Sequence, residues 1–310
     1  MDHDSSSTAE VSQVSSKSIM ASYGKTFYWA SFFLGREKGE RAAQLYRFCR
    51  YLDDLADGND PDRLAKLMMI KTHLTNDNDN INDPHLGNFL QLMRSCNIPR
   101  EAAIGLVDGM VHDQHIISTN SRAELLHYSY SVAGTVGLMM CRVLGCSKKE
   151  ANYFAIDLGI AMQLTNISRD VLEDASMERR YIPLEWVNLS AKEILQAEIP
   201  THEPVAEAIK KTLDLADKYY TSALKGIQLL PFRARLSIVI ALLVYREIGN
   251  KIKRTDYNWW RGRVFVSVYK KLALTLLSIR YIFPSKNTPQ HDSSLHDDLE
   301  GLFSANSNGS

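Results

Sequence analysis

The feature that most constrains the fold is a long stretch of chain without proline, which runs from residue 100 to residue 182. Within this stretch apolar residues recur at intervals of three and four, and the alternating pattern of a β-strand is almost absent. Proline is poorly tolerated inside a helix, and this apolar spacing places side chains on one helical face. The sequence therefore predicts an all-α fold.

The same pattern and the turn-forming residues between its segments predict where the helices lie. The predicted helices cover about 17–34, 38–58, 61–75, 84–96, 100–118, 121–145, 147–174, 203–229, 232–250 and 258–282. With 310 residues, of which 45% are apolar, the chain has enough material for a sizeable core. We expect one helical domain over residues 17–283, a disordered arm at 1–16 and a disordered polar tail at 284–310.

Charge and cysteine content narrow the classes of function. The chain has 36 basic and 36 acidic residues, so nothing global indicates a nucleic-acid partner. Its four cysteines lack a CxxC pair, which is typical of reduced thiols and predicts a cytoplasmic protein. The N-terminus lacks the pattern of a signal peptide, and the most apolar run, residues 236–244, is about half the length of a transmembrane helix.

A first acidic cluster lies in YRFCRYLDDLAD, residues 46–57. Asp53 and Asp57 are one helical turn apart, and Tyr46 and Arg50 lie near the same stripe of the helix. Like charges at this spacing destabilise a helix unless a cation bridges them. Mg²⁺ is the natural candidate, because it prefers oxygen ligands and joins carboxylates to substrate phosphate. The alternative is a solvated acidic helix end.

A second cluster lies in QLTNISRDVLED, residues 163–174. Asn166, Asp170 and Asp174 recur every four residues, and Gln163 lies one turn earlier. The intervening residues are apolar, so we expect the helix to be packed on most sides while this stripe lines a cleft. Two such stripes with arginines nearby fit a cavity for metal-bound diphosphate, and the alternative is two unrelated solvated faces.

Other chemistries find little support in the sequence. There is no HExxH motif, no Cys/His set with zinc spacing, no Walker A loop and no GxGxxG motif. The run VAGTVG, residues 132–137, follows a helical pattern, so its small residues indicate close helix packing better than a phosphate loop.

Three segments together resemble the signatures of the squalene and phytoene synthase family. They are the first acidic cluster, YSYSVAGTVG at residues 128–137 and NISRDVLEDASMERRY at residues 166–181, and their order and spacing match over about residues 17–283. The resemblance implies an all-helical isoprenoid synthase fold around a central cavity. It also implies a prenyltransferase that joins two prenyl diphosphates head to head through a cyclopropyl intermediate.

The resemblance assigns roles position by position. The implied metal ligands are Asp53, Asp57, Asn166, Asp170 and Asp174, and the four aspartates among them are also implied catalytic residues. The other implied catalytic residues are Tyr46 and Tyr181, which orient diphosphate or help to take a proton.

The implied substrate-binding positions are spread along the chain. They are Lys25, Thr26, Phe27, Arg50, Ala133, Gly137, Gln163, Asn166, Arg179 and Arg263, of which Ala133 and Gly137 are small channel-wall positions. The chain reads GKTF where the family usually reads SKSF, so Gly24 lacks one hydroxyl group. The family's basic C-terminal segment is matched only loosely, by Arg263 and its basic neighbours.

Within the family, we expect two geranylgeranyl diphosphates to be condensed to phytoene, because this reaction needs no reductant. Squalene or dehydrosqualene formation from farnesyl diphosphate is the alternative, and squalene would require NADPH. Many squalene synthases carry a C-terminal membrane anchor, and we expect none in this chain. Mg²⁺ is the expected cofactor, and Mn²⁺ is an alternative. Head-to-tail elongation, terpene cyclisation and a non-catalytic assembly factor fit less well, because the second motif is not DDxxD and the metal motifs are complete.

Two further expectations concern the surroundings of the site. Residues 251–271 carry seven basic residues and one acid, which predicts peripheral contact with the inner face of a membrane; the alternative is a solvated face or a diphosphate-binding flap. Ala42 and Ala43 precede Asp53 by about three helical turns and would leave room for a twenty-carbon tail, unless they only allow close helix packing. The oligomeric state stays open.

Overall fold

The computed structural model describes residues 29–76, 83–114, 118–283, 288–299 and 302. In chain order its helices are α1 (Arg36–Asp57), α2 (Arg63–Asn76), α3 (Pro84–Cys96), α4 (Arg100–His112), α5 (Arg122–Ser129), α6 (Thr135–Val143), α7 (Lys149–Ser176), α8 (Ala191–Gln196), α9 (Ile199–Gly226), α10 (Phe232–Arg254) and α11 (Val268–Ser278). The described ranges contain no β-strand, only one isolated bridge between Ser118 and Arg180. The all-α prediction is confirmed.

Local sequence explains where several helices begin and end. Pro84 occupies the first turn of α3, and the Asp83 side chain accepts hydrogen bonds from the backbone amides of His85 and Leu86. The helix ends at Asn97, whose backbone is left-handed with φ of 51°. The Ser190 and Glu193 side chains form a reciprocal capping box at the start of α8. These caps satisfy amide groups that a helix end leaves without partners.

Helix α7 is the centre of the molecule, because it packs against α6, α8, α9 and α10. Its apolar side chains Ile160, Ala161 and Leu164 are completely buried. The polar residues of the second acidic cluster therefore project from a helix whose other sides are held in the core. This arrangement fixes the direction in which that polar stripe points.

The helix predicted over residues 121–145 is interrupted by a π-helical turn, Tyr130–Gly134, between α5 and α6. Beside this turn the backbone approaches α7 very closely. A Cβ atom on Gly137 would lie 2.1 Å from the Ala155 carbonyl oxygen, and one on Gly159 would lie 2.1 Å from the Ala133 carbonyl oxygen. Glycine is therefore required at both contacts, and the small residues of VAGTVG serve close helix packing.

Two other predicted helices are shorter than expected. The helix predicted over 100–118 ends at His112, where Asp113 caps α4. The helix predicted over 258–282 is divided into a 3₁₀ turn, Trp259–Arg261, an irregular segment and α11. Gly262 has φ of 82°, which ends the 3₁₀ turn and redirects the chain before α11 begins. The prediction missed this break because the apolar spacing continues across it.

The polar tail differs from the expectation of disorder in the part that the structure describes. Residues Ser293–Leu299 form a 3₁₀ segment, in which Leu299 is completely buried. Tyr219 of α9 donates a hydrogen bond to the Leu295 carbonyl oxygen at 2.6 Å, and Arg122 of α5 pairs with Asp298 at 2.8 Å. A few apolar and charged side chains therefore dock this segment, although its composition is polar overall.

Two expectations lie outside the described residues: the arm at 1–16 and the GKTF segment with Lys25, Thr26 and Phe27. All four cysteines are described as free thiols, and three of them are buried. In the described part of the chain, no helix combines the length and the apolar character needed to cross a bilayer.

Candidate active site

Both acidic clusters face one cavity of about 370 Å³. Helix α1 forms one wall and α7 the other. The end of α4 and the loop after α7 close the sides. The predicted site residues that line this cavity are Arg50, Asp53, Asp57, Gln163, Asn166, Asp170, Asp174, Arg179 and Tyr181. The structure thus brings together two stripes that are more than a hundred residues apart in sequence.

The remaining predicted residues lie beside the cavity or away from it. Arg263 reaches the cavity by binding Asp170. Tyr46 is half-buried one turn before Arg50, and burial raises its pKa to about 12. Gly137 lines a separate apolar cavity of about 60 Å³ between α6, α7 and α9. Ala133 is partly buried, with its carbonyl oxygen against Gly159.

Arginines pair with the acidic groups that face the cavity. Arg179 donates to Asp57 at 2.7 Å and thereby links the loop after α7 to the end of α1. Arg263 donates to both oxygens of Asp170, at 2.7 and 3.0 Å, and pairs with Glu173 at 2.8 Å. These pairs connect the two walls and the segment before α11. They also hold positive charge at the place where an anionic ligand would meet the carboxylates.

The pKa values of two carboxylates in the cavity are raised despite these pairs, mainly by burial and further by like-charged neighbours. Burial raises the pKa of Asp174 to about 8, and the neighbouring Asp170 carboxylate adds to the shift, while Arg179 opposes it. Burial also raises the pKa of Asp53 to about 7, with Arg50 opposing and Asp57 reinforcing the change. The Asp53 side chain is 42% exposed, so water in the cavity weakens the effect there and Asp174 is the stronger case.

A second polar group on the cavity wall, formed by Tyr128, Asp113 and Tyr181, was not predicted from the sequence. The Tyr128 hydroxyl group donates to Asp113 at 3.0 Å, and the rings of Tyr128 and Tyr181 are stacked with centroids 4.6 Å apart. Burial raises the pKa of Asp113 to about 7, although hydrogen bonds from both tyrosines lower it. Tyr128 belongs to the YSYSVAGTVG segment, so it could have been included. Asp113 has no local signal, because it faces the site only through the end of α4.

The donor set fits a hard divalent cation. The side chains of Asp53, Asp57, Asp170 and Asp174 offer carboxylate oxygens on the two facing walls. The Asn166 side-chain oxygen is buried and has no hydrogen-bond partner within the described residues, while its amide group donates to Gln163 at 3.4 Å. A buried oxygen without a partner is costly, and a cation or its bound water would satisfy it. Such an all-oxygen set is typical of Mg²⁺ sites.

The fold and the site together define a helical protein with a polar cavity, lined by carboxylates and enclosed by long helices. The family model described as squalene/phytoene synthase matches residues 20–270. A phytoene synthase from Pseudescherichia vulneris is 31% identical over 87% of this chain and 91% of its own length. A 15-cis-phytoene synthase from a Paracoccus species is 33% identical over 74% of this chain and 78% of its own length.

A solved structure gives the same result at the level of the fold. The crystal structure of a dehydrosqualene synthase in complex with a ligand superposes with a TM-score of 0.76 at 27% identity, covering 86% of this chain and 95% of the other. The chain belongs to the squalene/phytoene synthase family. The predicted family, the isoprenoid synthase fold and the enzyme class, a prenyltransferase, are confirmed.

Proposed function

We propose that this protein condenses two geranylgeranyl diphosphates head to head to give phytoene. The observation that carries the proposal is the single cavity in which both acidic stripes and Arg179 converge. Relatives named phytoene synthase match most of the chain, which favours this product over squalene or dehydrosqualene. The prediction of phytoene formation agrees with those relatives.

In this proposal Asp53 and Asp57 on one wall and Asn166, Asp170 and Asp174 on the other hold Mg²⁺. When bound, Mg²⁺ supplies charge neutralisation that makes diphosphate a better leaving group. The pKa shifts support this role, because carboxylates that repel one another gain most from a shared cation. Mn²⁺ has the same preference for oxygen ligands and is an alternative.

The arginines act on the diphosphates themselves. Arg179 and Arg263 currently pair with carboxylates. With Asp57 and Asp170 holding a cation, each guanidinium group would be free to bind phosphate oxygens, which it matches in geometry as well as in charge. Arg50 lies on the wall formed by α1 and pairs with Asp54 of the same helix at 2.5 Å, on the edge of the cavity. Exchange of these ion pairs would couple metal binding to substrate binding.

The reaction consists of two departures of diphosphate and two losses of a proton. In the first half, the C–O bond of one substrate breaks, the double bond of the second attacks the allylic cation, and proton loss closes a cyclopropane. In the second half, the cyclopropylcarbinyl diphosphate loses its diphosphate, rearranges and loses a proton to give phytoene. The Tyr128–Asp113–Tyr181 cluster lies beside this path and can orient diphosphate or accept a proton through water.

The test is incubation of the purified full chain with geranylgeranyl or farnesyl diphosphate and Mg²⁺, with and without NADPH, followed by identification of the extracted hydrocarbon. Phytoene from the twenty-carbon substrate without NADPH is the expected result. Squalene formed only with NADPH, or dehydrosqualene without it, would contradict the proposed product and leave the site intact. No hydrocarbon from either substrate would contradict the enzymatic proposal and favour a non-catalytic role.

We also propose that α11 is the contact surface for a lipid bilayer. Tyr269, Leu272 and Leu276 lie at i, i+3 and i+7 on one face of α11 and are 85%, 46% and 71% exposed. Phe265 before the helix and Phe283 after it are also exposed, at 69% and 73%. An exposed apolar face of this kind is typical of membrane contact, and its hydrocarbon environment would supply prenyl tails and receive the product.

The contact proposed here is more apolar than the sequence suggested. Of the basic residues that predicted it, Lys253 pairs with Asp214, Arg254 and Lys270 pair with Glu247, and Arg263 pairs with Asp170. Their charges are partly compensated within the protein, so anionic lipid contributes less to binding than seven free charges would. The apolar stripe is expected to provide most of the affinity.

Vesicle flotation tests the membrane contact with a matched pair of variants. Leu272 on α11 and Met68 on α2 are each 46% exposed, so aspartate costs a similar amount of folding free energy at either position. Leu272→Asp is expected to abolish flotation with zwitterionic vesicles, whereas Met68→Asp floats like the unmodified chain. Equal flotation of both variants would contradict α11 as the contact surface.

A further inference from the structure

A second group of potential metal ligands lies far from the acidic cavity. Asp157 of α7 is completely buried, and its two carboxylate oxygens face two histidines of the docked C-terminal segment. The His291 Nε2 atom lies 2.9 Å from Asp157 Oδ2, and the His296 Nε2 atom lies 2.6 Å from Asp157 Oδ1. Thirteen residues of α7 separate Asp157 from Asp170, which corresponds to about 20 Å along the helix.

We propose that Asp157, His291 and His296 form a zinc site that fastens the C-terminal segment to the helical body. Both histidines present the same ring nitrogen, and one ligand atom from each of the three residues lies within 4.8 Å of the other two. Ligands of a tetrahedral Zn²⁺ ion are about 3.3 Å apart, given bonds of about 2.0 Å. Shifts of about 0.4 Å for His291 and about 0.7 Å for His296 would open the present contacts of 2.9 and 2.6 Å to that separation.

Neighbouring side chains shield the three ligands from solvent and fix their positions. The side chains of His291 and His296 are only 10% and 9% exposed. The Tyr153 ring stacks on His291 with centroids 5.2 Å apart, and the Phe154 ring meets the same imidazole edge-on at 5.2 Å. Ser222 of α9 provides a further hydrogen bond to the Asp157 carboxylate. Such outer contacts orient metal ligands and strengthen binding.

The chemistry of the ligands distinguishes this group from the acidic cavity. Two imidazoles and one carboxylate suit Zn²⁺, whereas carboxylate and amide oxygens suit Mg²⁺. The described residues that line the acidic cavity include no histidine. Three protein ligands leave one position for water, and the near-complete burial of all three side chains limits the access of a large substrate. The role is therefore structural, because the ion links residue 157 to residues more than a hundred positions later in the chain.

Such a link is expected to stabilise the docked segment. An ion that binds the folded state and not the unfolded state adds its binding free energy to the stability of the folded chain. The same segment is held by weaker contacts, including that of the His127 ring with the Asp298 carbonyl oxygen at 2.5 Å. His127 therefore offers a matched control, since it also holds the segment but lies outside the proposed zinc site.

The experiment measures metal binding by the full chain with Mg²⁺ in excess. After desalting, the unmodified protein is expected to retain one Zn²⁺ per chain, and Zn²⁺ is expected to raise the Tm by a few degrees. His291→Gln and His296→Gln each lose the ion and the rise in Tm, whereas His127→Gln keeps both. Far-UV circular dichroism confirms that each variant is folded. Retention of Zn²⁺ by both variants, or no retention by the unmodified chain, would overturn the proposal.

A second measurement does not depend on variants that fold. Co²⁺ is bound in place of Zn²⁺, and the proton NMR spectrum is searched for paramagnetically shifted, exchangeable imidazole N–H signals. Two such signals are expected, one for each histidine, and the acidic cavity cannot produce them. If no shifted imidazole signal appears at full Co²⁺ occupancy, the three side chains are only a hydrogen-bonded clamp.

Discussion

The pKa of a buried carboxylate is shifted in opposite directions at the two ends of α7. At Asp174 the neighbours include Asp170 and Glu173, and burial and repulsion raise the pKa to about 8. At Asp157 burial also raises the pKa, but the hydrogen bonds from His291 and His296 outweigh it and hold the pKa below its usual value. One helix thus carries a carboxylate whose pKa is set mainly by burial and like charges, and another whose pKa is set mainly by its hydrogen-bond partners.

The difference between these two carboxylates indicates which end of α7 is prepared to bind a ligand. Asp157 is satisfied by groups of the protein, so its surroundings are closed and an added ion would mainly strengthen an existing contact. The carboxylates of the acidic cavity repel one another in a space of about 370 Å³, which the protein itself does not fill. Electrostatic cost of this kind persists at a functional site because the bound state relieves it. The acidic end is therefore the reactive one.

The largest expected effect comes from removing one charge at the acidic end. Asp170→Asn is expected to lower kcat by more than about 100-fold, because diphosphate departure depends on charge stabilisation that one ligand helps to hold. The control is Asp108→Asn on α4, which removes an acid paired with Lys71 outside this cavity. Measurement of kcat at saturating Mg²⁺, with circular dichroism as a check of the fold, tests the prediction. Equal kcat values for the two variants would remove Asp170 from the metal site.

The next prediction concerns the arginine that must change partners. Arg263→Gln is expected to raise KM for the prenyl diphosphate about 10-fold, because a charge-assisted hydrogen bond contributes about 1.5 kcal/mol or more. Its effect on kcat should be smaller, since the metal ligands remain. Arg261→Gln is the matched control, because Arg261 is exposed two residues earlier. A KM that rises equally in both variants would indicate a general effect of surface charge.

The sequence predicted the end of α7 that carries Asp170 and Asp174 far better than the end at which Asp157 meets the two histidines. Asp170 and Asp174 share a stripe at i, i+4 spacing, and helical geometry alone places them side by side. The facing of that stripe by Asp53 and Asp57 is a tertiary contact that helical geometry cannot give; the pairing of two oxygen-rich stripes with nearby arginines and the family resemblance both indicated it. The histidine end has no local signal, because Asp157 lies in an apolar helix and its partners lie in a segment that composition assigned to a disordered tail.

The fold shows the same division between local and tertiary information. Helix α3 was predicted with its observed bounds, since Asp83 and Pro84 start it and Asn97 ends it. The π-helical turn Tyr130–Gly134 was missed, because the contact between α6 and α7 determines it and both sequences read as ordinary helix. Ala42 and Ala43 are almost completely buried, and their proposed influence on tail length stays a prediction.

The smallest expected effect is a change of stability with pH, and it sharpens the contrast between the two ends. Without metal, the free energy of unfolding should fall as pH rises from about 4 to about 8, because the folded state keeps a proton on Asp174 that the unfolded state has lost. Asp157 contributes in the opposite direction, since its lowered pKa gives stability above its usual value of 3.8 that is lost in stronger acid. Mg²⁺ binds the ionised carboxylates, so saturating Mg²⁺ should reduce or reverse the loss near pH 8.

The measurement is the Tm at about pH 5.5 and about pH 8 in chelator and in excess Mg²⁺, with Asp174→Asn as the comparison. The variant cannot ionise at this position, so its Tm in chelator should change less between the two pH values than that of the unmodified chain. An identical pH dependence for both proteins would show that Asp174 is not the group whose repulsion prepares the acidic cavity for a cation.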